Sequence, residues 1–374
     1  MTVTPFRIDV SDAELKDLRD RLRRTRWPEP GTAEGWTQGV PLAHLQELCA
    51  YWADGYDWRA TEARLNALPQ FRTEIDGLGI HFLHVRSSDP DALPLVLTHG
   101  WPGSVVEFLD AIALLTEPLD AFHVVVPSLP GYGWSDRPAR SGWNLERIAA
   151  AWTQLMARLG YERYGAAGSD WGTSVTAWIG KLDPAHVAGI HLVPPLGAPD
   201  PATLDDLTPG ERAALDDLAR AQADGVGYAI EHSTRPQTIG YGLVDSPALL
   251  AAWIIEKFHE WTDPGSTLTR DQLLDNLMLY WLPGTGASAA RLYWESLSEV
   301  QRIFAGEITD EVRGVPVGCS VFPHENPRLS RRWAARRFPD IRYWNEPDRG
   351  GHFAAFEQPE LFAAELRAFF RLVR

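Results

Sequence analysis

Tyr164-Gly165-Ala166-Ala167-Gly168-Ser169-Asp170-Trp171-Gly172 runs from small and apolar residues, suited to a buried strand, through a turn toward a helical segment. Gly168 and Gly172 stand two positions either side of Asp170. A strand that turns sharply into a helix needs small flanking residues, so that its central side chain projects from the end of the sheet toward a substrate. The central residue here is a carboxylate. Ser169 is one position out of register, because the glycines bracket Asp170. The competing duty for Asp170 is to cap a helix that starts near Thr173, a common use of aspartate at a helix start.

Outward from that turn, the spacing predicts alternating strands and helices. Phe71 to Ile75 and Ile80 to Val85 read as two strands joined at Asp76-Gly77. Leu95 to Thr98, Val124 to Val126, Tyr164 to Ala167 and Gly189 to Val193 are further strands, with helices at Val105 to Leu115 and Leu145 to Leu159. Such alternation implies parallel strands with right-handed crossovers. Pro194-Pro195 then opens a largely helical block that includes Ala248 to Trp261 and Asp271 to Tyr280. Strands return at Val315 to Phe322 and Ile341 to Trp344, and a last amphipathic helix runs from Glu360 to Leu372. At the other end, Leu15, Leu18 and Leu22 mark a helix over Ser11 to Arg26, and Leu42 to Tyr51 a second one. The expected organisation is a helical segment over 1–70, a sheet domain over 71–195 and 305–374, and a helical lid over 196–304.

The partners of Asp170 follow from this layout. The strand Leu95 to Thr98 leads into His99-Gly100-Trp101-Pro102-Gly103, a loop able to aim the Trp101 N–H into the site, with the Trp171 N–H as a second oxyanion donor. His99 is read as organising that loop. The base is placed at His352, in Arg349-Gly350-Gly351-His352-Phe353 after the last strand; a buried structural histidine is the alternative. The acid that orients it is Glu325, at the end of the strand beginning at Val315. Asp348 and Asp340 are set aside, one as a solvated loop residue, the other because it lies at the wrong end of its strand. Nucleophile, acid, then histidine is the chain order of the α/β-hydrolase fold, and that is the fold class expected: a mostly parallel central sheet with a helical lid and an N-terminal helical extension.

The 374 residues, 45% apolar and 11% aromatic, suffice for a large core. A net charge of −15 disfavours nonspecific binding to nucleic acid or an anionic membrane. The two cysteines, Cys49 and Cys319, are too few for a disulfide framework or a four-thiolate metal site and are expected reduced and buried. Met1 to Val10 is interrupted by Pro5, Arg7 and Asp9, unlike a signal peptide, so a cytoplasmic protein is the default. No metal or organic cofactor is expected.

Beyond these patterns, the chain resembles the microsomal-type epoxide hydrolases over essentially its whole length. The resemblance rests on Pro5-Phe6 through Arg26-Trp27-Pro28, Tyr51-Trp52, Tyr56-Asp57-Trp58-Arg59, His99-Gly100-Trp101-Pro102-Gly103-Ser104, Pro130-Gly131-Tyr132-Gly133, the Asp170 turn, and Gly350-Gly351-His352-Phe353-Ala354-Ala355-Phe356-Glu357. In the lid, Gly227-Tyr228 with Ser233-Thr234-Arg235-Pro236-Gln237-Thr238, and Arg291-Leu292-Tyr293, are similar to the two places where that family carries ring-opening tyrosines. Tyr228 and Tyr293 are the pair so implied; considered alone, each would be read as lid packing. The resemblance implies a small-molecule epoxide as substrate. Membrane-bound members carry an apolar anchor ahead of the N-terminal segment, and this chain, starting almost at that segment, is read as a relative without the anchor. Substrate identity and oligomeric state, a homodimer included, stay open.

Two other functions fit the same turn. A haloalkane dehalogenase would also use aspartate followed by tryptophan, but displacing halide wants indole or amide donors, not a proton source. A noncatalytic protein binding small apolar ligands in a hydrolase fold would usually lack one of the catalytic groups.

Overall fold

Asp76 and Gly77 both take positive φ, 52° and 77°, the two-residue turn whose twist matches paired strands. It closes the first hairpin of a sheet built from β1 (Thr4–Phe6), β2 (Gln70–Ile75), β3 (Leu78–Val85), β4 (Leu93–Thr98), β5 (Phe122–Pro127), β6 (Tyr164–Ser169), β7 (Val187–Val193), β8 (Val317–Ser320) and β9 (Ile341–Asn345). The structure, a computed structural model, describes residues 2–374. The strand order is β1-β2-β3-β5-β4-β6-β7-β8-β9. β1, β2, β3 and β5 pair antiparallel, and from β5 through β9 every pairing is parallel. Strands β5, β6 and β7 are buried along their whole length, which explains their mostly apolar or small residues, interrupted by His123 and His191.

Helices α1 (Asp12–Arg23), α2 (Leu42–Asp54) and α3 (Trp58–Asn66) precede the hairpin. α4 (Leu109–Thr116), α5 (Leu145–Arg158) and α6 (Trp171–Leu182) alternate with the parallel strands. Between β7 and β8 come α7 (Pro209–Arg220), α8 (Gly227–Thr234), α9 (Pro236–Asp245), α10 (Pro247–Trp261), α11 (Arg270–Trp281) and α12 (Gly286–Phe304). Short α13 (Arg331–Ala334) and α14 (Ala354–Glu357), with α15 (Pro359–Phe370), complete the fold. Among the described residues no single helix is long and apolar enough to cross a membrane; α9 and α10 pass that test only as a pair bent by 115°.

The N-terminal segment departs from the purely helical expectation. Thr4–Phe6 adds an edge strand to the sheet, where Pro5 is tolerated because an edge strand can spare one N–H; three residues are too few to show alternation. A third helix, α3, follows Asp57, whose side chain accepts from the Arg59 N–H at 2.9 Å. α1 starts as expected, Ser11 and Glu14 forming a reciprocal cap, but ends at Arg23 and not Arg26. Its leucines Leu15, Leu18 and Leu22 are all buried, each contributing about 2 kcal/mol as an upper estimate.

Candidate active site

Asp170 occupies the N-cap position of α6, yet its side chain makes no capping hydrogen bond. The carboxylate turns away from the helix: Oδ1 accepts from the Trp101 N–H at 2.8 Å, and Oδ2 lies 3.3 Å from Nε2 of His352. Its backbone sits at φ 53° and ψ −126°, a conformation that costs a non-glycine residue of order 1–3 kcal/mol and persists only where its surroundings impose it. The capping alternative is thereby set aside. The flanking glycines are required by space: a Cβ on Gly168 would come within 2.3 Å of the Gly172 carbonyl oxygen, and one on Gly172 within 1.9 Å of the Thr98 carbonyl oxygen. Gly100 faces the same constraint, since its Cβ would lie 2.0 Å from Asp170 Oδ1.

The loop after β4 is organised by His99, as its place in the sequence suggests. The buried ring accepts from the Leu129 N–H at Nε2 (3.2 Å), leaving Nδ1 to donate to the Gly100 carbonyl (2.9 Å). Burial lowers its pKa to about 4, so it stays neutral. Trp171 is the first residue of α6, where helix geometry leaves an N–H without an intrahelical acceptor.

His352 follows β9 on a loop whose Gly350 has φ 102°. Nδ1 and Oε1 of Glu325 are 2.6 Å apart, and the same oxygen accepts from the Asn326 N–H at 3.0 Å. Burial opposes a charge on His352, but Glu325 on one side and Asp170 on the other outweigh it and hold its pKa well above the ordinary value. Asp348 is exposed and pairs with the neighbouring Arg349, and Asp340 pairs with Arg342 two residues on.

Tyr228, on α8, stacks on the Trp101 indole at 4.9 Å and 11°, and Tyr293, on α12, meets Trp171 edge-on at 4.7 Å. The two phenol rings are 5.7 Å apart at 80°. Burial, reinforced by the Asp170 charge, pushes both hydroxyls above the ordinary tyrosine value, so both remain neutral donors near pH 7. Asp170, Trp171, Tyr228, Tyr293, Glu325 and His352 line one cavity of about 470 Å³. Its remaining wall is mainly apolar, with Leu218 from α7 and Leu297, Val300 and Phe304 along one face of α12. The sequence brought none of these groups together except through the order of strands; the sheet does so by ending β4, β6 and β8 on one side, the usual ligand side of a parallel sheet.

Residues 3–108 match the family described as epoxide hydrolase N terminus, and residues 94–227 match the alpha/beta hydrolase fold. A putative epoxide hydrolase of Stigmatella aurantiaca is 54% identical, across 100% of this chain and 86% of that protein. The chain belongs to the epoxide hydrolase family. Epoxide hydrolase 1 of Sus scrofa is 34% identical, covering 100% of this chain and 89% of its own. The solved epoxide hydrolase of Aspergillus niger superposes with a TM-score of 0.90 at 34% identity, over 100% of this chain and 97% of that one. Juvenile hormone epoxide hydrolase from the silkworm Bombyx mori gives 0.90 at 33%, over 100% and 96%.

Three further groups in this epoxide hydrolase family member were not picked out from the sequence for a role. Glu357 accepts from the N–H groups of Asp263 (2.9 Å), Gly351 (3.1 Å) and Phe353 (3.0 Å), and Asp263 accepts from Gly350 (2.7 Å), so two carboxylates grip the histidine loop. Lys257, buried on α10, places its ammonium 5.0 Å from the centre of the Tyr228 ring and pairs with Glu256 and Glu260. Glu357 closes the Gly350 to Glu357 motif; Asp263 carries no local signal because Gly350 and Glu357 are distant in the chain, and Lys257, paired with its helix neighbours Glu256 and Glu260, carries none for its approach to Tyr228.

Proposed function

We propose that the chain hydrolyses an epoxide to a vicinal diol through a covalent ester on Asp170. The observation that carries this is one carboxylate held at Oδ1 by a backbone N–H, facing a buried histidine at Oδ2, in a cavity lined by two neutral phenols. Oδ2 attacks an epoxide carbon as the ring C–O bond breaks, and Tyr228 and Tyr293 donate to the departing oxygen, one of them giving up its proton. The tyrosinate is then reprotonated from solvent. Ester formation removes the negative charge of Asp170, one of the two charges that raise the His352 pKa, so the ring becomes neutral more readily. Neutral His352, oriented by Glu325, takes a proton from water as its oxygen attacks the ester carbonyl. The charge then developing on Oδ1 is met by the Trp101 N–H, with the Trp171 N–H beside it. Breaking the ester bond frees the diol, its departing oxygen taking the proton held by His352, and Asp170 returns as a carboxylate once the acid proton left on it passes to solvent.

In a single turnover in oxygen-18 water, label is expected in the Asp170 carboxylate and not in the diol. Label appearing directly in the diol would mean that water attacks the epoxide, and the ester route fails. A haloalkane substrate tested alongside should release no halide.

The pH dependence has a definite sign. Hydrolysis of the ester needs neutral His352, so its rate rises with pH through the pKa of that ring. Because the esterified Asp170 no longer holds the proton, that midpoint is expected below the His352 midpoint of the free protein followed by NMR. Equal midpoints would show that Asp170 does not hold the proton.

A further inference from the structure

Helix α11 touches two parts of the molecule at once. On one side Asn276, wholly buried, donates from Nδ2 to the Pro102 carbonyl at 2.7 Å and accepts from the Ser104 hydroxyl at 2.7 Å. One turn further, Tyr280 donates its hydroxyl to the Gly103 carbonyl at 2.6 Å. Three consecutive residues, Pro102, Gly103 and Ser104, are thus tied to the lid, directly after the residue whose N–H holds Asp170. A loop pinned only at its β4 end could swing that N–H away; these three bonds, all out of water, remove the freedom. On the other side of α11, buried Asp275 accepts from the hydroxyls of Tyr56 (2.7 Å) and Thr61 (2.5 Å), and the Trp52 indole N–H meets the Met278 sulfur at 3.3 Å.

We infer that Asn276 and Tyr280 are positioning residues for the Trp101 amide, and that the N-terminal helices α2 and α3 act on the reaction by holding α11 in place. The inference rests on Asp170 being the residue that carries the ester. Its consequence is asymmetric between the two steps. As the ring opens, negative charge leaves Asp170, and a donor at Oδ1 gains nothing in strength. As the ester is hydrolysed, charge builds on Oδ1 and the same donor stabilises it. Loss of a donor of this kind costs about 10²–10³ in rate, and displacing it by loosening its loop should cost a smaller part of that.

The test measures ring opening and ester hydrolysis separately by rapid-quench mass spectrometry on Tyr280→Phe, Asn276→Asp and Tyr56→Phe, each keeping nearly the original volume. Tyr280→Phe is expected to slow hydrolysis about tenfold, with ring opening within about twofold, so that ester accumulates during turnover; Asn276→Asp should do more and Tyr56→Phe less. Backbone hydrogen exchange over residues 101–104 should quicken in all three, an arm that needs no turnover. Equal slowing of both steps, or unchanged exchange and unchanged hydrolysis in a folded variant, overturns the inference. If even His352→Gln yields no ester, the reading of Asp170 fails instead, and the exchange measurement still decides whether α11 holds the loop.

Discussion

His352→Gln should open the epoxide and then stop, leaving one substrate mass on the peptide that contains Asp170. On the proposed route, ring opening needs the carboxylate and the two phenols, none of which the substitution removes. Hydrolysis needs a base to take the proton of the attacking water, and glutamine supplies none; positioned general bases are worth about 10²–10⁴ in rate. Turnover should fall by that factor or more, while the first equivalent of substrate disappears at a rate within about tenfold of the original. The glutamine also leaves buried Glu325 without its charged partner, so the melting temperature is measured on the same sample. A folded variant that forms no adduct with any reactive epoxide would refute the covalent scheme. An adduct that forms and clears at the original rate would remove His352 from the role of base.

The second large effect concerns the first step. Tyr228→Phe and Tyr293→Phe each delete one oxygen and leave the ring contacts with Trp101 and Trp171 in place. Each is expected to slow ring opening by about 10²–10³, the usual cost of one preorganised donor. Because either phenol can still donate when the other is gone, the double variant should lose more than either alone and form ester too slowly to detect. Hydrolysis of ester once formed should be unaffected, which separates this result from that of His352→Gln. Single variants with full ring-opening rates would reassign the tyrosines to packing.

The chain carries its fold in short-range signals. The glycine pair around Asp170, the Asp76-Gly77 turn and the buried apolar strands are each readable from a few neighbouring residues, because turn sterics and strand burial act locally. The order of Asp170, Glu325 and His352 after β6, β8 and β9 is equally legible, since a parallel sheet with right-handed crossovers leaves few ways to arrange them. The strand Thr4–Phe6 was not legible, because what makes it a strand is its pairing with Gln70, Phe71 and Arg72.

The lid is where sequence reading stops short. Tyr228 and Tyr293 stood out only through resemblance, because a tyrosine on a helix carries no mark of what it faces. Asn276 and Tyr280, Asp263 and Glu357, and Lys257 lie in or beside helices whose local pattern says only that they pack. What the sequence by itself determined is the sheet apart from its edge strand β1, the sharp turn that strains Asp170, and the chain order of its partners, all consequences of local backbone geometry. Only the tertiary structure decided which oxygen of Asp170 meets Trp101, which meets His352, and that α11 clasps the intervening loop. Those contacts join residues from 69 to 182 positions apart, and no short-range rule constrains a side chain across such a distance.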